Sequence, residues 1–143
     1  MFAQPTKKRV NCFVSTAIVL SLAGVFVASL AFARVATNTI DLAAVVAGAG
    51  RHLIVTGPIE CTRGERVDLR VTVTQRTTGA VAEGYAIFNC AGVSEQWEVH
   101  AVTHGKASFE DGPATAVGVA TTSSRRETTD AHQWLVNITL VRE

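Results

Sequence analysis

The sequence predicts an all-β fold: a seven-stranded antiparallel β-sandwich of the immunoglobulin-like type, preceded by an N-terminal hydrophobic signal or anchor helix. Two observations predict the sandwich. From Arg51 onward, apolar and polar residues alternate with a period of two, and turn residues interrupt the alternation at short intervals. Such alternation is typical of half-buried strands, and several short strands separated by frequent turns favour two packed sheets. No stretch of this region shows helical periodicity.

The N-terminus has the organisation of an export signal. Residues 7–9 are Lys-Lys-Arg, and residues 10–33 contain no charged side chain. The apolar run ends in a small-x-small pattern formed by Ala31 and Ala33, which predicts cleavage before Arg34. The run is also long enough to span a bilayer, so a retained membrane anchor is the alternative. Both interpretations place the rest of the chain outside the cytoplasm.

The remainder of the chain is predicted to form one domain. Residues 34–50 are small, weakly apolar and end in glycine, which indicates a linker, and residues 51–143 form the sandwich. Three of the 13 Lys and Arg residues fall in the signal and all 12 Asp and Glu follow it, which leaves a net charge of −2. A slightly acidic domain lacks the basic surface needed to bind nucleic acid. Membrane contact is expected only through residues 10–33, if these are retained.

Seven strands are predicted after the linker. In chain order they cover residues 52–61, 66–75, 80–90, 96–103, 107–109, 114–122 and 132–141. Pro58 suggests that the first of them lies at a sheet edge, because proline cannot donate to a strand ladder. The polar stretch Thr121–Asp130 is interpreted as a solvated, mobile loop.

Two cysteines remain after the export segment, which contains Cys12. Cys61 continues the apolar face that includes Ile59, and Cys90 continues the face that includes Phe88. An even number of cysteines in an exported domain predicts a disulfide. We expect Cys61 and Cys90 to join the first and third predicted strands across the interior.

Four motifs between Thr56 and Val141 carry a family resemblance. They are Gly57-x-Ile59-x-Cys61, Cys90-x-Gly92-x3-Gln96-Trp97-x-Val99, Phe109-x-x-Gly112-Pro113-Ala114-x-Ala116 and Trp134-x3-Ile138-Thr139-Leu140. Together they resemble a family of small secreted actinobacterial-type β-sandwich proteins whose function is unknown. Members of that family often carry a second cysteine pair near the last two strands. This chain has none there, so its last strands depend on packing alone.

No residue pattern typical of a catalytic or metal site is present. His100 and His104 have the spacing of helical metal ligands, but four residues along a strand span about 13 Å, too far to share one ion. His52 and His132 are expected on exposed strand positions. The sequence has no Gly-x-Ser-x-Gly nucleophile motif. We therefore predict no catalytic residue, no cofactor and no metal ligand.

Trp97 and Trp134 are the candidates for a ligand-binding surface. The alternation places both on the inward face, which favours packing in the core. The resulting hypothesis is an exported, non-enzymatic module with a binding or structural role and an unidentified partner. Two alternatives remain open: a small-molecule carrier with a cleft between its sheets, and a surface fibre subunit that donates residues 35–50 to a neighbour as a strand.

Overall fold

A computed structural model describes residues 40–143. The predicted signal helix and its cleavage site at Ala31, Ala33 and Arg34 lie outside the described residues. The elements are β1 (Ala43–Ala47), a 3-10 turn (Gly48–Gly50), β2 (His52–Ile59), β3 (Arg66–Gln75), β4 (Ala80–Asn89), β5 (Glu95–His104), β6 (Gly112–Ser124) and β7 (Glu127–Arg142). Within residues 40–143, none of the helical segments has the length and apolarity needed to cross a bilayer.

The seven strands form a closed barrel, so the predicted immunoglobulin-like sandwich is wrong. Around the barrel the strands follow the order β1-β2-β5-β4-β3-β6-β7. Every neighbouring pair is antiparallel except β1 and β7, which run parallel where the barrel closes. An odd number of strands around a closed circle cannot alternate in direction throughout. At least one parallel pair is therefore required, and here it joins the first strand to the last.

The strand that closes the barrel comes from the segment predicted to be a linker. β1 lies between β2 and β7 and pairs with both. Asp41 anchors its start, because its carboxylate accepts hydrogen bonds from Thr56 Oγ1 at 2.6 Å and from Gln96 Nε2 at 2.7 Å. Without β1, β2 and β7 would be two free sheet edges. Pairing with β1 satisfies both edges and turns an open sheet into a barrel.

The interior of the barrel is filled by alternating residues of every strand. The inward side of β6 carries only small residues over most of its length, namely Ala114, Ala116, Gly118 and Ala120, whereas β3 contributes four buried branched residues, Val67, Leu69, Val71 and Val73. Small closed barrels are filled by side chains of mixed size, which allows the wall to curve. At Gly118 an added Cβ would lie 2.8 Å from Cε2 of Trp134, so the ring of β7 occupies the space that glycine leaves.

The connection from β5 to β6 crosses one end of the barrel. Residues 107–109, predicted to be a strand, pair with no neighbour as a strand and instead carry the fully buried Phe109 into the core. The Phe109 N–H donates to Gly50 O at 2.8 Å. The side chain of Gln75 binds the next residue, Glu110, by donating to its carbonyl at 2.8 Å and accepting from its N–H at 2.9 Å. The apolar residues of this segment therefore fill one end of the barrel and do not form a strand.

The polar stretch predicted to be a mobile loop is mostly strand. β6 and β7 continue as a paired hairpin to Ser124 and Glu127. Only Arg125 and Arg126 form the turn, with positive φ angles of 50° and 73° as in the two-residue hairpin turns that match strand twist. Threonine favours strands, although the run of threonines beside charged residues resembles a loop in the sequence, and Thr122 is in fact fully buried.

Cys61 and Cys90 form a disulfide, with their Cα atoms 5.7 Å apart. Both are buried, and each lies just beyond a strand end, since β2 ends at Ile59 and β4 ends at Asn89. The disulfide therefore ties the β2–β3 connection to the end of β4. A cysteine pair held in this way indicates an oxidising environment.

Candidate functional site

A groove on the outer wall of the barrel is the most apolar concave surface among the described pockets. It has a volume of about 420 Å³ and runs across β4, β3 and β6. Tyr85 and Ile87 on β4 form one side and are 75% and 52% exposed, and Val119 on β6 forms the other. Leu135 on β7, 64% exposed, lies beside β6 and extends the apolar surface. We call the surface formed by Tyr85, Ile87, Val119 and Leu135 the outer patch.

The floor of the outer patch carries charges that are already paired. On β3, Arg70 lies between Tyr85 and Val119 in the pairing register. Its Nε lies 2.7 Å from a carboxylate oxygen of Glu83 on β4. Asp68 similarly contacts Arg66, at 3.2 Å. These two ion pairs therefore carry no net charge, and they lie beside the apolar side chains of the outer patch.

A second concave surface lies where β4 and β5 separate. Their ladder covers only Glu83↔Val102 and the two preceding pairs, although both strands continue beyond it. An opening of about 290 Å³ lies along this seam, with Phe88 and Trp97 in its wall and Glu95 and Glu98 near it. We call it the side opening.

Trp97, one of the two candidate ligand-binding residues, lies at the side opening. Its side chain belongs to the core and is only 3% exposed, yet its Nε1–H has no hydrogen-bond partner among the described residues. A buried indole N–H usually finds a partner. This combination makes Trp97 a packing residue that also offers one unused donor.

Trp134, the other candidate, is far from that opening in the strand order. It packs over Gly118 on β6 and is partly buried. The ring of His132 lies against it, with centroids 5.6 Å apart. The two tryptophans lie on β5 and β7. These strands are not neighbours in the barrel, so no strand pairing brings the two residues together.

Two histidines that are distant in the sequence meet on the outer wall. His52 Nε2 lies 3.0 Å from His100 Nδ1 across β2 and β5. His100 Nε2 lies 2.8 Å from Glu98 Oε1. His104 instead lies near Glu83, at 3.7 Å. The sequence spacing pairs His100 with His104 but gives no signal for His100 with His52, because the pairing of β2 with β5 is a long-range contact.

The histidine contacts bear on catalysis. Within residues 40–143 the imidazoles contact acidic residues, Trp134 and one another, and none of these contacts sets a hydroxyl or thiol beside a base. Among the same residues, no three His, Cys, Asp or Glu side chains converge as a set that could hold a metal ion.

The chain matches no protein-family model and no curated protein.

Proposed function

We propose that the chain is an exported, non-enzymatic β-barrel module that acts outside the cytoplasm as a binding or structural unit, and that it self-associates through the outer patch. The observation that carries the proposal is the exposure of Tyr85, Ile87 and Leu135 on one wall of a closed barrel. A cluster of exposed large apolar residues is typical of an interaction surface. Export is supported by the charged and apolar pattern of residues 7–33 and by the disulfide.

The charges of the outer patch favour a second copy of this chain as the partner. Arg66, Asp68 and Arg70 alternate in sign along β3, and Glu83 lies next to Arg70. A two-fold axis places the same patch against itself, and because these charges are already paired within each copy, neither copy presents an excess of one sign to the other. A strongly basic or acidic partner would gain nothing from a strip whose charges cancel.

Strand donation by residues 35–50 is not proposed as the mode of assembly. Residues 43–47 already pair with β2 and β7 of their own barrel. Donating this segment would reopen the barrel and expose both edges. The outer patch needs no such rearrangement, because its side chains already face outward.

Sedimentation of the full chain over a range of concentrations tests self-association. We expect a concentration-dependent dimer, and we expect Tyr85→Asp combined with Ile87→Asp to leave a folded monomer. Val93→Asp is the matched control, because Val93 is 55% exposed but lies in the β4–β5 connection outside the patch. A monomer at every concentration, or a dimer unaffected by the double substitution, would show that the patch is not a self-association surface.

A second candidate function is the binding of a small apolar ligand at the side opening. The position of Trp97 in the wall of the opening favours it, and the buried Nε1–H of this residue has no partner among the described residues, as is also true of Trp134. Such a ligand would change the tryptophan fluorescence of the chain, and Phe88→Ala would weaken its binding. If a panel of small apolar acceptors leaves the emission unchanged, this candidate fails, while the sedimentation result is unaffected.

A further inference from the structure

We propose that His52 and His100 form a surface site for a divalent copper ion, in which Glu98 positions His100. The three side chains lie on the outer wall of β2 and β5, and they form a continuous chain of contacts from Glu98 through His100 to His52. This proposal is independent of self-association and differs from the sequence-based expectation of no metal ligand. It concerns two protein ligands, with water completing the coordination.

The contact with Glu98 determines which nitrogen of His100 can bind a metal. A carboxylate only accepts hydrogen bonds, so His100 Nε2 carries the proton and donates it to Glu98 Oε1 at 2.8 Å. The other ring nitrogen, Nδ1, then has a free lone pair. Metal-bound histidines commonly donate their second ring N–H to a carboxylate, which orients the ring and makes the ligand more basic.

The lone pair of His100 points towards the second histidine. Nδ1 of His100 lies 3.0 Å from Nε2 of His52, which in the metal-free chain donates its proton across this gap. When a metal binds, His52 loses the proton on Nε2 and takes one up on Nδ1, so the ring remains neutral. Both nitrogens then carry lone pairs on the facing sides of the two rings, and a turn of the exposed rings directs them at one ion. The two residues are 48 positions apart in the sequence, and the register of β2 and β5 brings them together.

The ligand types select the metal. The 3.0 Å separation is that of the hydrogen bond between the two exposed rings in the metal-free chain, and the rings turn from that position to direct both nitrogens at one ion. Two imidazole nitrogens in adjacent positions, completed by water, suit a tetragonal ion. Copper(II) adopts tetragonal geometry and binds such ligands more tightly than the other divalent ions of its row. The oxidising environment indicated by the disulfide favours copper(II) over copper(I).

Titration of the untagged full chain with copper(II) and zinc(II) tests the site. All variants carry Cys12→Ser, because a cysteine at that position would add a second ligand for copper. We expect one equivalent of copper(II) with an electron paramagnetic resonance signal showing two nitrogen ligands, and at least tenfold weaker zinc(II) binding. His52→Ala and His100→Ala should each abolish the two-nitrogen signal. Glu98→Gln should keep the signal but weaken binding by about tenfold, as expected for a residue that positions a ligand.

His104→Ala and His132→Ala are the matched controls, since each removes a histidine from the barrel but not from the pair. Both should bind copper as the parent chain does. If the double variant His52→Ala/His100→Ala retains the parent affinity and spectrum, the proposal is overturned. The same conclusion follows if zinc binds as tightly as copper. Circular dichroism of every variant separates loss of the site from loss of the fold.

Discussion

Gln75 shows how one buried side chain controls the path of a loop. It is completely buried at the end of β3, where apolar residues fill the alternate positions before it. Its amide binds both backbone groups of Glu110, in the manner of a paired strand residue, and accepts a further hydrogen bond from the Thr78 hydroxyl at 3.2 Å. The amide therefore holds the β5–β6 connection against the barrel and keeps Phe109 in the core.

Replacing Gln75 by leucine should destabilise the chain by about 1–3 kcal/mol. The substitution nearly preserves volume but leaves the backbone groups of Glu110 without their partner in a partly buried position. Urea unfolding followed by circular dichroism measures the loss. The exposed Gln133→Leu on β7 is the control and should change the free energy of unfolding by less than about 0.5 kcal/mol. Equal effects of the two substitutions would contradict the role given to Gln75.

At the scale of elements, β1 is the strand on which closure depends. It is short, yet it satisfies the edges of both β2 and β7 and contributes two buried residues, Ala44 and Val46. Asp41 holds its entrance to β2 and β5 by two short hydrogen bonds. Residues 40–47 therefore belong to the folded unit.

Val46→Asp should destabilise the chain by at least about 3 kcal/mol, because it places an unpaired carboxylate in the core next to the closing pair of strands. Ala43→Asp is the matched control: the same side chain is introduced in the same strand, but on the exposed side. It should be nearly neutral in thermal or urea unfolding. If both variants unfold like the parent chain, then β1 contributes nothing to the stability of the barrel.

The disulfide joins two segments at one end of the barrel that also pair through backbone hydrogen bonds. Cys90 N–H donates to Glu65 O at 2.8 Å, and Gly64 N–H donates to Cys90 O at 2.9 Å, so the β2–β3 connection is also paired with the end of β4 through its backbone. The covalent bond closes a loop of 29 residues by sequence separation.

Removing the disulfide with Cys61→Ser and Cys90→Ser should lower the free energy of unfolding by about 3–4 kcal/mol, from the loop-closure entropy restored to the unfolded chain. Reduction of the parent chain should give the same loss, which serves as the control for packing effects of serine. Unfolding curves with and without reductant measure both. Two reactive thiols from Cys61 and Cys90 in the unfolded, unreduced chain would refute the bond itself.

At the scale of the whole molecule, export is the prediction that the N-terminal sequence makes. Expression in a bacterial host followed by mass spectrometry of the extracytoplasmic fraction should recover a chain that begins at Arg34. Replacing Ala31 and Ala33 by leucine should block cleavage and leave the chain attached to the membrane, because small residues are required at those two positions. Recovery of the parent chain from the cytoplasm, or of an uncleaved chain at the membrane, would contradict cleavage before Arg34.

The positions of most strands could be predicted from the sequence, whereas the grouping of side chains on the outer surface of the barrel could not. The prediction for residues 66–75 coincides with β3, because clean alternation of Val and Leu with polar residues has only one strand register. Residues 107–109 were mispredicted because a short apolar run does not show whether it pairs laterally or plugs an end. Tyr85 and Ile87 lie at outward positions of β4, but their grouping with Val119 depends on β3 lying between β4 and β6.

The sequence by itself determined the all-β class, six of the seven strands and the pairing of Cys61 with Cys90. Alternation can be recognised within each segment, and only these two cysteines follow the predicted signal. Only the tertiary structure decided that the sheet closes. Alternation marks which residues face a core, and this pattern is the same whether the core lies between two sheets or inside a barrel. Closure depends on β1 meeting β7, and the His52–His100 contact on β2 meeting β5. Both are pairings between distant segments, set by strand order and register, which no local pattern encodes.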